Sequence, residues 1–321
     1  MAAAGAVCGA RGMLVRPVAG SEGWAQVATM IKDWAQSGQT FHWRGHRVFF
    51  RTEGYGPALL LIHGLPTASW IWHGMWGALA GHSRLIAPDL IGFGLSDKPR
   101  TFDYTVMSQA DLCEALLTHL EVTDFHVLAE DYGDTVAQEL LARSPAGRIA
   151  SVCLLNGGIF PEAHRPPLAQ RLMDTRLTRP LTAFVMRRPF QRGLSRLFGP
   201  GTKPAAATLE ALWQLLCHND GPAILPRLMA YRADRHRHRD RWVNALVRSR
   251  IPRLLIAGAR DPVCGRAMID LWRAQVAGGE LVELPEVGHF PALEAPDAVV
   301  RAYRAFRRRH APSTHPPAGV P

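Results

Sequence analysis

The stretch "LAEDYGDTVAQELLAR", residues 128–143, decides how the rest of the chain is read. An apolar run from Phe125 to Ala129 stops, Ala129 and Gly133 bracket a tight turn, and an amphipathic helical pattern begins. That order describes a strand bending sharply into a helix, with one side chain presented at the bend. Such an elbow usually carries serine between two glycines; here the central residue is Asp131 and Ala129 takes the first glycine's place. Asp131 is therefore either a working nucleophile or the remnant of a serine site.

Outward from this turn the chain alternates. "FHWRGHRVFFRTEG" (41–54) reads as a hairpin about an Arg-Gly turn, and "ALLLIHG" (58–64) as a short strand apolar on both faces. Further strands are expected at 83–89, 125–131, 151–158, 252–261 and 281–289, with helical patterns such as "SQADLCEALLTHL" and "RAMIDLWRAQV" between them. Alternation of this kind predicts an α/β fold with a mostly parallel eight-stranded sheet flanked by helices. It is interrupted between 159 and 250, where only helical patterns occur, including "LAQRLMDTRL", "ATLEALWQLLCH" and "RDRWVNALVRS". The expected organisation is a core over 35–158 and 251–310 with a helical lid, 159–250, inserted after the sixth strand. Residues 1–34 are expected to be mostly disordered or irregular, and 311–321 a disordered tail.

The formal net charge is +10, but only three of the 37 basic residues are lysines, which points to a composition bias rather than a dedicated polyanion site. The basic stretches at 186–197, "YRADRHRHRDRW" (231–242) and "RAFRRRH" (304–310) read as solvated helix faces, and no nucleic-acid motif accompanies them. No apolar stretch approaches the ~20 residues that cross a bilayer. Five widely spaced cysteines without a C-x-x-C pair fit a reducing, cytoplasmic setting.

Three chemically capable residues fall at strand ends: Asp131, Asp261 after "RLLIAGAR", and His289 after "LVELPEVG". Nucleophile, acid and histidine in this chain order make a catalytic triad. "HGLPTASW" (63–70) adds an oxyanion hole, formed by the backbone N–H groups of Leu65 and Tyr132. The glycine-rich "DLIGFGLSDKP" (89–99) lacks the phosphate-loop spacing and reads as a structural loop. Glu162, Glu294 and the position near Asn156 are weaker choices for the acid than Asp261. No cofactor or metal is implied.

"HGLPTASW", "DLIGFGLSDKP", "EDYGDTVAQELL" and "NGGIFPEAHRP" together resemble the α/β-hydrolase superfamily, close to epoxide hydrolases and haloalkane dehalogenases, from about residue 35 to 307. The resemblance implies Asp131 as nucleophile, His289 as base and Asp261 as its partner. A carboxylate suits displacement at saturated carbon, leaving an alkyl ester on Asp131 for hydrolysis by activated water. The related epoxide hydrolases use two lid tyrosines as acids, whereas this lid offers Tyr231 alone. The related dehalogenases use Trp N–H groups, and here Trp70, Trp213 and Trp242 are the candidates. Tyr231 and Trp70 are thus the expected substrate contacts, and the substrate a small apolar organic molecule. Epoxide-hydrolase-like chemistry is favoured, dehalogenation is the alternative, and a non-catalytic binding scaffold is the reading from another class. Glu130 stands where related enzymes carry His; it either faces the pocket and raises the pKa of Asp131 or turns to solvent.

Overall fold

The computed structural model describes residues 22–144, 147–166 and 186–311. The expectations for residues 1–21, for 312–321 and for the helical pattern at 168–177 lie outside these. The chain opens with helix α1 (Glu22–Gln36), followed by β1 (Gln39–Trp43) and β2 (His46–Glu53) around the Arg44-Gly45 turn. Then come β3 (Ala58–Ile62), α2 (Trp76–Ala80), β4 (Arg84–Pro88), α3 (Val106–His119), β5 (Phe125–Glu130), α4 (Tyr132–Arg143) and β6 (Ile149–Leu155). After β6 the described residues hold only helices until β7 (Arg253–Gly258); β8 (Glu280–Leu284) and a last long helix, Pro296–Arg309, complete the order.

The eight strands form one sheet in the order β1-β2-β4-β3-β5-β6-β7-β8. β2 pairs antiparallel with β1 and β4, and every other pairing is parallel. The period-2 geometry of a strand explains the two cores. Leu60 and Ile62 of β3 face α3 and α4, while Leu59 and Leu61 face the opposite layer with Trp72 and the last helix. All five residues of β3 are buried, as a central strand covered on both faces requires.

Residues 22–36 correct one expectation: they form a helix instead of an irregular segment. Val27, Ile31 and Trp34 recur at helical spacing and are buried against the second core, where the Trp34 ring meets Trp76 edge-on at 5.0 Å. Pairing of an amphipathic stripe with a waiting apolar face outweighs the small-residue bias that precedes it. The helices after β6 are anchored by Glu139 of α4, a buried carboxylate that accepts from Arg143, Arg241 and the Trp242 indole. No helix among the described residues is long and apolar enough to cross a membrane.

Candidate active site

Asp131 links β5 to α4 with φ 52° and ψ −107°, a left-handed backbone that a non-glycine residue adopts only under constraint. Two backbone bonds impose it: Asp131 N–H donates to Leu155 O at 3.0 Å, and Asp134 N–H to Asp131 O at 3.2 Å. Gly133 is required for this bend, because a Cβ there would lie 2.2 Å from the carbonyl oxygen of Ile62. The elbow thus holds the Asp131 carboxyl at the C-terminal edge of the sheet, where open α/β sheets bind ligands.

The strand ends bring the other expected residues to it. Leu65 N–H, in the loop after β3, donates to Asp131 Oδ2 at 2.9 Å. His289, in the loop after β8, places Nε2 3.7 Å from Asp131 Oδ1 and donates from Nδ1 to Asp261 Oδ2 at 2.8 Å. Asp261, after β7, is fixed in turn by the Val263 N–H at 2.7 Å. Asn156 accepts from Gly258 N–H at 2.8 Å and donates to the Gly288 carbonyl, so it braces the ends of β6 and β7 against the histidine loop. Tyr132 N–H donates to none of the described acceptors, as the leading N–H groups of a helix do. Among the described residues no group of His, Cys, Asp or Glu is arranged to hold a metal ion.

Electrostatics follow from burial. Burial works against charging His289, but Asp261 and then Asp131 outweigh it and hold the imidazole at about 9. Glu130 is fully buried, not turned to solvent. One oxygen accepts from Ala292 N–H at 3.0 Å, and Oε1 has no hydrogen-bond partner among the described residues. Burial raises this carboxyl to about 8 against the opposing Ala292 N–H and His289. Asp134 is likewise pushed up by burial while accepting from Gly157 N–H at 2.8 Å.

Because Glu130 binds its proton more tightly in the folded chain, its contribution to stability is complete at low pH and declines as pH rises from 4.5 through about 8. His289 adds a loss of the same sign between 6.5 and about 9. Glu130→Gln, which cannot ionise, is expected to melt at a higher temperature than the parent at pH 8.5, by several degrees. At pH 5 the two should differ little. Thermal melts at both pH values check this; an equal difference at both would contradict the burial argument.

The remaining sequence candidates divide. Tyr231 is buried, and its ring meets Tyr132 edge-on at 4.7 Å, which brings it beside the elbow. Trp70 is buried in the second core and stacks on His73 at 4.2 Å; no described hydrogen bond or ring contact joins it to Asp131. Trp242 has its indole N–H committed to Glu139 at 2.6 Å, and Trp213 packs on Phe190 at 5.5 Å. Two residues were missed. Arg235 lies in the stretch read as a solvated face, yet it is 2% exposed. It donates from Nε to Thr135 Oγ1 at 2.8 Å and from Nη2 to the Asp131 carbonyl at 3.4 Å. His164 of "NGGIFPEAHRP" is pushed down to about 2 by burial and by the nearby Arg235, Arg232 and His289. The spacing of Tyr231 and Arg235, four apart and so on one helix face, was the available signal for the first. For His164 the single sequence carried none.

Comparison with known proteins agrees with this architecture. Residues 57–296 match the family model described as alpha/beta hydrolase fold. The chain is 38% identical over 301 residues to the mesoderm-specific transcript homolog protein of Bos taurus, covering 88% of this chain and 89% of that one. It is 29% identical to haloalkane dehalogenase 2 of Mycobacterium tuberculosis, over 80% of this chain and 90% of the relative. In three dimensions it is similar to haloalkane dehalogenase DbeA from Bradyrhizobium elkani, with a TM-score of 0.73 at 22% identity, covering 85% of this chain and 98% of that one. That last likeness bears on the fold alone. With three quarters of its length matched by one family model and a relative aligned almost end to end, the chain belongs to the α/β-hydrolase fold family and is a hydrolase.

Proposed function

We propose that this hydrolase opens epoxides through a covalent ester on Asp131, without a cofactor. The observation that carries the reading is the carboxylate itself. Asp131 stands at the elbow with Leu65 N–H at 2.9 Å on one oxygen and His289 Nε2 at 3.7 Å from the other. An Asp131 oxygen attacks a ring carbon, the ring C–O bond breaks, and the alkoxide takes the Tyr231 hydroxyl proton. Esterification removes the Asp131 charge that helped hold the proton on His289, so the imidazolium releases it and restores Tyr231. The neutral imidazole then deprotonates a water that attacks the ester carbonyl. Charge develops on the Asp131 carbonyl oxygen beside the N–H groups of Leu65 and Tyr132. Its collapse breaks the ester C–O bond, and the leaving alkoxide takes the His289 proton to depart as the diol. The Asp131 carboxyl returns a proton to His289 as the carboxylate re-forms.

The described helices within 159–250 serve in this reading as the lid, contributing Tyr231. The substrate is a small apolar organic molecule, and a cytosolic location is taken from the cysteine spacing. Hydrolysis of alkyl halides is the second reading, favoured by the sequence relative named haloalkane dehalogenase 2. The engaged indole of Trp242 and the core position of Trp70 weigh for epoxides. Steady-state rates on a panel of both substrate classes decide between them. Tyr231→Phe should slow epoxide opening by about 10²-fold and leave halide displacement within about 10-fold, because halide departs without a proton. Equal losses on both classes would remove Tyr231 from the acid's role.

A further inference from the structure

Arg235 is a buried cation with no matching carboxylate among the described residues. Its described partners are the Thr135 hydroxyl and the Asp131 carbonyl, and Nη1 has no acceptor among the described residues. An unpaired buried guanidinium is costly, and proteins seldom retain one without a use. Its position is well defined: the guanidinium carbon lies 4.5 Å over the Tyr231 ring. Nη1 occupies the space a side chain at position 158 would need, since a Cβ on Gly158 would come within 2.1 Å of it.

The charges around the nucleophile show what the use is. Burial raises Glu130 to about 8 and pushes Asp134 up as well. Glu294 is satisfied by the N–H groups of Gly199, Gly288 and Phe290. Among the carboxyl groups around Arg235, Asp131 acts on the guanidinium most strongly. When Asp131 becomes an ester, that charge is lost and the pull of the guanidinium on another anion rises.

We propose that Arg235 Nη1 forms an anion subsite beside the elbow, able to take a small monoanion when Asp131 is uncharged. The occupant is a small monoanion, either a halide ion or an oxyanion such as a carboxylate. Its role in turnover rests on the esterification of Asp131 proposed above, whereas anion binding itself does not.

Asp131→Asn reproduces the uncharged state of the nucleophile in the full-length chain. Thermal melts of this variant in rising sodium bromide or sodium formate, at constant ionic strength made up with gluconate, should show a saturable rise. A rise of about 2–5 °C is expected at concentrations well above the dissociation constant. The parent, with Asp131 charged, should show a smaller rise. The double variant D131N/R235M should show none, D131N/R235K should retain part of it, and D131N/G158A should lose it because the new Cβ displaces Nη1. A response to bromide alone assigns a halide subsite, and one to formate alone an oxyanion subsite. Equal shifts in D131N and D131N/R235M, or no shift in either, overturn the proposal. Anion binding without any ester on Asp131 would leave the subsite standing and remove the covalent reading instead.

Discussion

Asp131→Asn is expected to lower turnover of any accepted substrate by at least about 10⁴-fold. The amide has nearly the shape of the carboxyl and accepts the same Leu65 N–H, which now approaches at 2.9 Å. Asparagine also tolerates the φ of 52° that the elbow imposes, so the fold should persist. What is lost is the negative oxygen, and an amide oxygen is a poor nucleophile towards saturated carbon. The same change removes a charge 3.7 Å from His289 Nε2, so the imidazole should titrate below the value of about 9 that it has beside the carboxylate. NMR titration of the ring in parent and variant measures this directly. Turnover within about 10-fold of the parent would mean that Asp131 is not the attacking group.

His289→Gln should separate the two halves of the reaction. Attack by Asp131 needs no base, so the first half survives, while ester hydrolysis slows by about 10²–10⁴-fold. The variant should therefore consume one equivalent of substrate and stop. Intact mass should rise by the mass of one epoxide, and peptide mapping should place the increment on the segment holding Asp131. With Asp261 2.8 Å from Nδ1, Asp261→Asn should show a weaker form of the same block, since the ring loses its orienting acceptor. A variant that neither accumulates an adduct nor loses activity would exclude His289 as the base.

Much of the fold was legible because its signals are local. A short run such as "ALLLI" bounded by Gly reads as a buried strand, and six strand-like runs set among helical patterns leave few topologies open. Asp131, Asp261 and His289 were legible for a related reason: strand ends collect at one edge, so residues far apart in sequence converge once the sheet is parallel. Helix α1 was not, because its stripe of Val27, Ile31 and Trp34 needs a partner face that sequence alone does not display. Arg235 was hidden by composition, one arginine in a basic run, and its burial depends on the gap above Gly158. Glu130 was undecidable in sequence, since both faces of its strand are covered and only the Ala292 N–H tells where its carboxyl goes.

The central idea is that water ends up attacking the protein and not the substrate. Multiple turnovers in ¹⁸O-labelled water, followed by proteolysis and fragment mass spectrometry, test it most directly. Repeated ester hydrolysis at the carbonyl carbon should carry the heavy isotope into the side chain of Asp131, with both carboxyl oxygens exchanged after many cycles. An unlabelled Asp131 after extensive product formation, with the label found only in the diol, would mean that water attacks the substrate directly and that no ester forms.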